Sequence, residues 1–207
     1  MLERTACRRC YGKGGGAMKI EEIKPHIRQF MFRQERGDPD FGSCLWASFI
    51  LDTKNYTLHI ASDCGEYSYG WTPTPRSESF IQLMSRIEDG YLLNKIADKD
   101  QFDYEASKAE TIENLKIYFN DEPDKVKSII DEVVCREMYD DMSDDKDAFY
   151  RSMDDILSDN DVCDTFEVIT VVLDYSAGAK KIVQIFHDVL QPLLKAEQTE
   201  EHNAENN

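Results

Sequence analysis

The chain has 207 residues, 41% of them hydrophobic and 11% aromatic, with a formal net charge of −17. That length and apolar content suffice to bury the core of one compact domain or two small ones, and they exclude a disordered acidic chain. No run has the apolar length of a bilayer span, and the first residues are basic without an apolar stretch, so the expectation is a cytoplasmic protein.

The charge is unevenly placed: residues 98–167 hold 23 Asp and Glu against 8 Lys and Arg, whereas residues 1–97 hold 12 against 13. One part of the chain therefore carries charge that the other does not need, for solubility, for repelling nucleic acid or for docking on a basic partner.

In chain order, Cys7-Arg8-Arg9-Cys10-Tyr11-Gly12-Lys13-Gly14 resembles one repeat of the zinc-binding region of the DnaJ chaperones. A tetrahedral zinc wants four ligands and no second pair of that spacing follows, so Cys7 and Cys10 close a site only by dimerisation or with distant thiols. Lys13–Met18 is encodable by a purine-rich ribosome-binding stretch ahead of a start codon, and residues 1–17 are expected to be a translated leader or disordered tail. Cys44, Cys64, Cys135 and Cys163 are scattered singly and read as reduced, partly buried thiols.

From Met18, Ile20, Ile23, Ile27, Phe30 and Met31 recur at helical spacing, with Pro25 near the helix start, and Gly37–Gly42 breaks the pattern. Strand-like runs follow at Cys44–Leu51, Tyr56–Ser62 and Tyr67–Trp71, joined by segments of hairpin length and composition. This predicts a three-stranded antiparallel meander. Its Tyr67, Tyr69 and Trp71 share one face. They are a stacking or protein-binding platform, joined by Trp46 if the registers allow, or a core face covered by helices.

Helical stripes then recur: Phe80, Leu83, Met84 and Ile87; Ile112, Leu115 and Phe119 behind a capping-box spacing at Ser107–Glu110; Val126, Ile129 and Val133 after Pro123; and Phe149, Met153, Ile156 and Leu157. Phe166–Leu173 is strand-like by propensity but is read as helix from its surroundings. A last helix carries Ile182 to Leu194, kinked at Pro192, and the tail frays from Glu197. The predicted class is α+β: a meander region over 18–97, an acidic helical region over 98–195 and a disordered tail over 196–207.

Cys44-x-Trp46-Ala47, Ser62-Asp63-x-Gly65-x-Tyr67-Ser68-Tyr69-x-Trp71 and Tyr91-Leu92-Leu93-x-Lys95-Ile96 resemble a group of proteins encoded by bacterial viruses and prophages, over residues 18–96. The resemblance implies a mobile-element setting, with the cytoplasm of a bacterial host cell as the expected location, and carries no activity with it. The acidic region lies outside it.

Catalytic patterns are absent from the sequence. Asp159-Asn160-Asp161 opens like a calcium loop, but Cys163, Asp164 and Thr170 stand where an oxygen ligand, glycine and a bidentate glutamate are required. His59 has Asp63 and Glu66 nearby as acid/base partners, the only enzymatic reading offered. No cofactor is expected.

Two binding readings remain. In the first, Asp140, Asp141, Asp144, Asp145, Asp147, Asp154, Asp155, Asp159 and Asp161 mimic a nucleic-acid backbone and occupy a basic groove, as an inhibitor of a host defence nuclease would. In the second, Trp46, Tyr67, Tyr69 and Trp71 hold a protein partner. Direct nucleic-acid binding is opposed by the charge, because Lys19, Lys24, Arg28, Arg33 and Arg36 are the nearest approach to a basic patch.

Overall fold

A computed structural model describes residues 26–205, apart from Pro39, residues 73–77, Asp121, Asp140 and Asp144; for residues 200–205 it describes the backbone alone. The leader, Cys7 and Cys10, and Lys19 and Lys24 lie outside the described residues.

The α+β class holds, with a sheet of four strands rather than three. Strands β1 (Ile27–Arg33), β2 (Trp46–Asp52), β3 (Thr57–Ser62) and β4 (Gly65–Gly70) form an antiparallel meander in chain order. The expected first helix is β1. Its sequence Ile-Arg-Gln-Phe-Met-Phe-Arg satisfies a period of two as well as a helical one, and pairing decides between them: Phe30 stands opposite Phe49 and Phe32 opposite Ala47. A single short helix would leave that edge of β2 without backbone partners. Arg28 and Arg36 consequently share no helical side; Arg28 instead pairs with Glu197 at 2.8 Å.

Both inner hairpins are closed by an aspartate. Asp52 Oδ1 accepts the backbone N–H groups of Lys54 and Asn55 in the β2–β3 turn. Asp63 and Cys64 form the two-residue turn between Ser62 and Gly65, with Gly65 at φ +124°.

The covered face of the sheet carries Ala47, Phe49, Leu51, Leu58 and Ile60, all buried. On it lie α1 (Phe80–Arg86), α2 (Asp89–Ile96), α7 (Ala177–Ile185) and α8 (Gln191–Glu205), making one apolar cluster from both ends of the described chain. Helix α1 starts with a capping box from Ser79 and Gln82. A π-helical turn over Phe186–Leu190 separates α7 from α8. This is the form taken by the expected kink, since Pro192 has no N–H to give and its ring crowds the preceding turn. The tail expected to fray at Glu197 is helical to Glu205.

A second cluster is inserted between those pieces. The chain leaves through β5 (Lys99–Phe102) and returns through β6 (Leu173–Tyr175), an antiparallel pair. Between them α3 (Tyr104–Tyr118), α4 (Pro123–Glu137), α5 (Lys146–Asp159) and the short α6 (Thr165–Val168) enclose Leu115, Ile129, Val133, Phe149, Met153 and Ile156. The region expected to run as one acidic helical unit over 98–195 is thus split, its last helices belonging to the sheet.

Two local expectations change here. Ser107 is not a cap but sits fully buried inside α3, whose cap is Asp103. The segment read as helix over 166–173 is helical only to Val168. Beyond it, Thr170 N–H donates to Thr111 Oγ1 at 3.0 Å and Val172 N–H to Ser107 Oγ at 2.8 Å, while Asn114 Nδ2 donates to the Val168 carbonyl at 3.0 Å. Side chains one and two turns apart on α3 thus stand in for a neighbouring strand, and the β-branched residues keep their extended preference.

Candidate functional site

The inserted unit carries the chain's surplus of acidic side chains. Its aspartates divide by what they do. Asp145 caps α5, its Oδ1 accepting N–H bonds from Asp147 and Ala148 at 2.8 Å each, and these bonds hold its carboxyl below the ordinary range. Asp154 accepts the Thr165 hydroxyl, tying α5 to α6, and Asp159 lies 3.5 Å from Arg136. By contrast Asp141, Asp147, Asp155 and Asp161 are exposed, and their carboxylates have no partner among the described residues. Asp140 and Asp144 lie outside the described residues.

Asp147 and Asp155 stand eight residues apart on α5, about 12 Å along its axis. That exceeds the Debye length of about 8 Å at physiological salt, so their mutual repulsion is largely screened while one basic surface can still meet both. Fully buried Phe149, Met153, Ile156 and Leu157 anchor the opposite side of the helix.

The aromatic stripe belongs to the core. Tyr67, Tyr69 and Trp71 are half-buried against the first cluster. Tyr67 donates its hydroxyl to the Cys64 carbonyl at 2.8 Å, and Trp71 packs on Tyr69 and Phe80 with centroids 4.7 and 5.7 Å away. An open platform of these three rings is therefore not formed. Trp46 is on the other face of the sheet, 40% exposed, with Ile27 and Met31, each 52% exposed, on the same face.

His59 also lies on that open face, opposite Ser68. No hydrogen bond among the described residues joins it to Asp63 or Glu66. Asp63 is engaged elsewhere: Oδ2 accepts Leu45 N–H at 2.9 Å and Oδ1 accepts Trp46 N–H and the Cys44 thiol, both at 3.3 Å. These bonds, led by the one from Leu45, hold its carboxyl below the usual value. The acid/base pair is not assembled.

Two clusters were not foreseen. In the first, one ligand atom each from Cys44, Asp63 and Cys64 lie within 4.8 Å of one another. The hairpin register contains the signal, because Ala47 opposite Ser62 brings the residues just before β2 alongside the Asp63–Cys64 turn. In the second, Tyr104 and Lys108 on α3 both donate to Glu137 on α4. Burial pushes the Glu137 carboxyl up, but these bonds and the Lys108 charge outweigh it and hold the group low.

A model of a phage protein family, Phage_phiTE_072, matches residues 18–196. The chain belongs to that phage family. The match runs through the inserted acidic unit, which the shorter sequence resemblance did not reach, and so both clusters belong to the phage-family protein. No curated protein and no solved structure matches it. No helix among the described residues is long and apolar enough to cross a membrane.

Proposed function

We propose that this phage-family protein is a non-enzymatic accessory factor that binds a basic macromolecular partner through the outward carboxylates of its inserted helical unit. The observation carrying this reading is the division of labour among the aspartates: Asp141, Asp147, Asp155 and Asp161 have no partner among the described residues, although neighbouring acids are used to hold the fold. Solvated carboxylates on a rigid apolar support keep a strong field toward solvent, which steers association with a surface that normally receives phosphates. In its sharp form the partner is a host defence nuclease, of the kind met by anti-restriction and anti-CRISPR proteins. The test is inhibition of a purified restriction nuclease across a salt series. Inhibition that weakens with salt and is lost on joint Asp147→Asn, Asp155→Asn and Asp161→Asn substitution supports the reading. Inhibition untouched by both salt and substitution overturns it.

A second reading, a protein-binding adaptor, is favoured by the open sheet face, where Ile27, Met31 and Trp46 expose large apolar side chains. Partner capture through high salt that Trp46→Ala abolishes would favour it over the acidic surface.

A further inference from the structure

We propose that Cys44, Cys64 and Asp63 form a binding site for a zinc ion, with two thiolates and one carboxylate oxygen as protein ligands and water in the fourth position. The three ligand atoms already lie within 4.8 Å of one another. Tetrahedral zinc with Zn–S of about 2.3 Å and Zn–O of about 2.0 Å separates sulfur from oxygen by about 3.5 Å and sulfur from sulfur by about 3.8 Å. The Cys44 Sγ to Asp63 Oδ1 separation of 3.3 Å is close to the first figure.

The surroundings are those of a held site. Asp63 is fixed by N–H bonds from both Leu45 and Trp46, which aim its carboxylate at Cys44 as outer-shell bonds aim ligating carboxylates elsewhere. Cys64 is fixed by a two-residue turn, whose backbone is held again by the Tyr67 hydroxyl on the Cys64 carbonyl. Cys44 is fully buried two residues before β2, while Asp63 is exposed and Cys64 half-exposed, so the ion has a path in and a side open to water. Two soft thiolates disfavour magnesium and calcium, the hard carboxylate disfavours monovalent copper, and the combination suits zinc. The site shares no residue with the acidic unit and does not depend on the function proposed for it.

The test uses the full 207-residue chain, stripped with chelator under a thiol-free reductant and titrated with cobalt(II), then zinc. About one cobalt per chain should bind, with thiolate charge-transfer bands and the visible bands of tetrahedral coordination, and zinc should displace it. Cys44→Ser and Cys64→Ser should each lose these bands; Asp63→Asn should keep thiolate bands and bind at least about 10-fold more weakly. Because Cys44 is buried, Cys64→Ser is the deciding variant, with circular dichroism to verify its fold. A Cys7→Ser/Cys10→Ser double variant should still bind. Wild-type protein without these bands, bands that survive Cys64→Ser but vanish in the Cys7/Cys10 variant, or isolated protein found zinc-free with a Cys44–Cys64 disulfide would each overturn the site.

Discussion

Gly178, in the first turn of α7, faces the carbonyl of Cys64 so closely that a Cβ there would lie 2.3 Å from the carbonyl oxygen and 3.2 Å from the Tyr67 hydroxyl. The obstacle is backbone in a tight turn, which cannot rotate away. Alanine would gain up to ~1 kcal/mol of helix propensity over glycine. Overpacking against a fixed carbonyl costs about 1–3 kcal/mol, and the clash wins. Gly178→Ala should lower the urea midpoint; an unchanged or raised midpoint would show that α7 can shift freely.

Gln191 is a buried polar residue with a distant task. Its Nε2 donates to the Ile87 carbonyl at 2.7 Å, closing the end of α1, and its Oε1 accepts from Lys195 at 2.9 Å. Gln191→Leu keeps the volume but strands that carbonyl out of water, at a cost of about 1–3 kcal/mol. Chemical denaturation should show this loss, and Gln191→Glu should not restore it, because the carboxylate has no N–H to give.

Glu137 provides a pH test. Its pKa lies below the ordinary 4.5, so its contribution is complete above that value and is lost as the pH falls through the depressed one. The side chains of Lys108 and Glu137 are only 20% and 23% exposed. Glu137→Gln should therefore cost on the order of 1 kcal/mol at neutral pH, because its amide oxygen can still accept from Lys108 but no longer balances the charge. The gap between wild type and variant should close in acid. A gap that is constant with pH would mean that packing, not charge, is what the substitution removes.

The aspartates of the inserted unit should separate in thermal melts. Asp145→Ala removes the cap of α5 and should lower the melting temperature, an effect that fades as the pH falls from the ordinary 3.8 through the depressed pKa of Asp145. Asp155→Asn should leave it unchanged or raise it, since it relieves repulsion and breaks no bond, whereas Asp147→Asn should lower it slightly, by about 0.3–1 kcal/mol of stability, because Asp147 stands in the first turn of α5 and favours the helix dipole. At Asp161, φ is +61°, so asparagine is the substitution that tolerates the backbone. A fall on neutralising Asp155, or one at Asp147 as large as that of Asp145→Ala, would reveal a structural role for these carboxylates.

Much of the helical half was legible because burial follows period. Phe149, Met153, Ile156 and Leu157, chosen by spacing, are all fully buried, and Pro123 opens α4. Asp52-Thr53-Lys54-Asn55 and Asp63-Cys64-Gly65-Glu66 announced their turns by composition. Strand β1 was hidden because Ile27, Phe30 and Met31 fit a helix as well as a strand, and only Phe49 and Ala47 on β2 choose between them. The extended 169–172 segment was hidden for a similar reason, since Ser107 and Thr111 look like ordinary helix positions until the chain returns 65 and 59 residues later to bond to them.

By itself the sequence determined the α+β class, the sharp gathering of acid into one stretch and the identity of its apolar faces, because hydrophobic period, turn chemistry and charge are local properties of the chain. The tertiary structure alone decided which aspartates are spent on caps and hydroxyls, that the aromatic stripe faces the core, and that Cys44 meets Asp63 and Cys64. Those outcomes depend on strand register and on which distant backbone group remains to be satisfied, and neither is a property of any one segment.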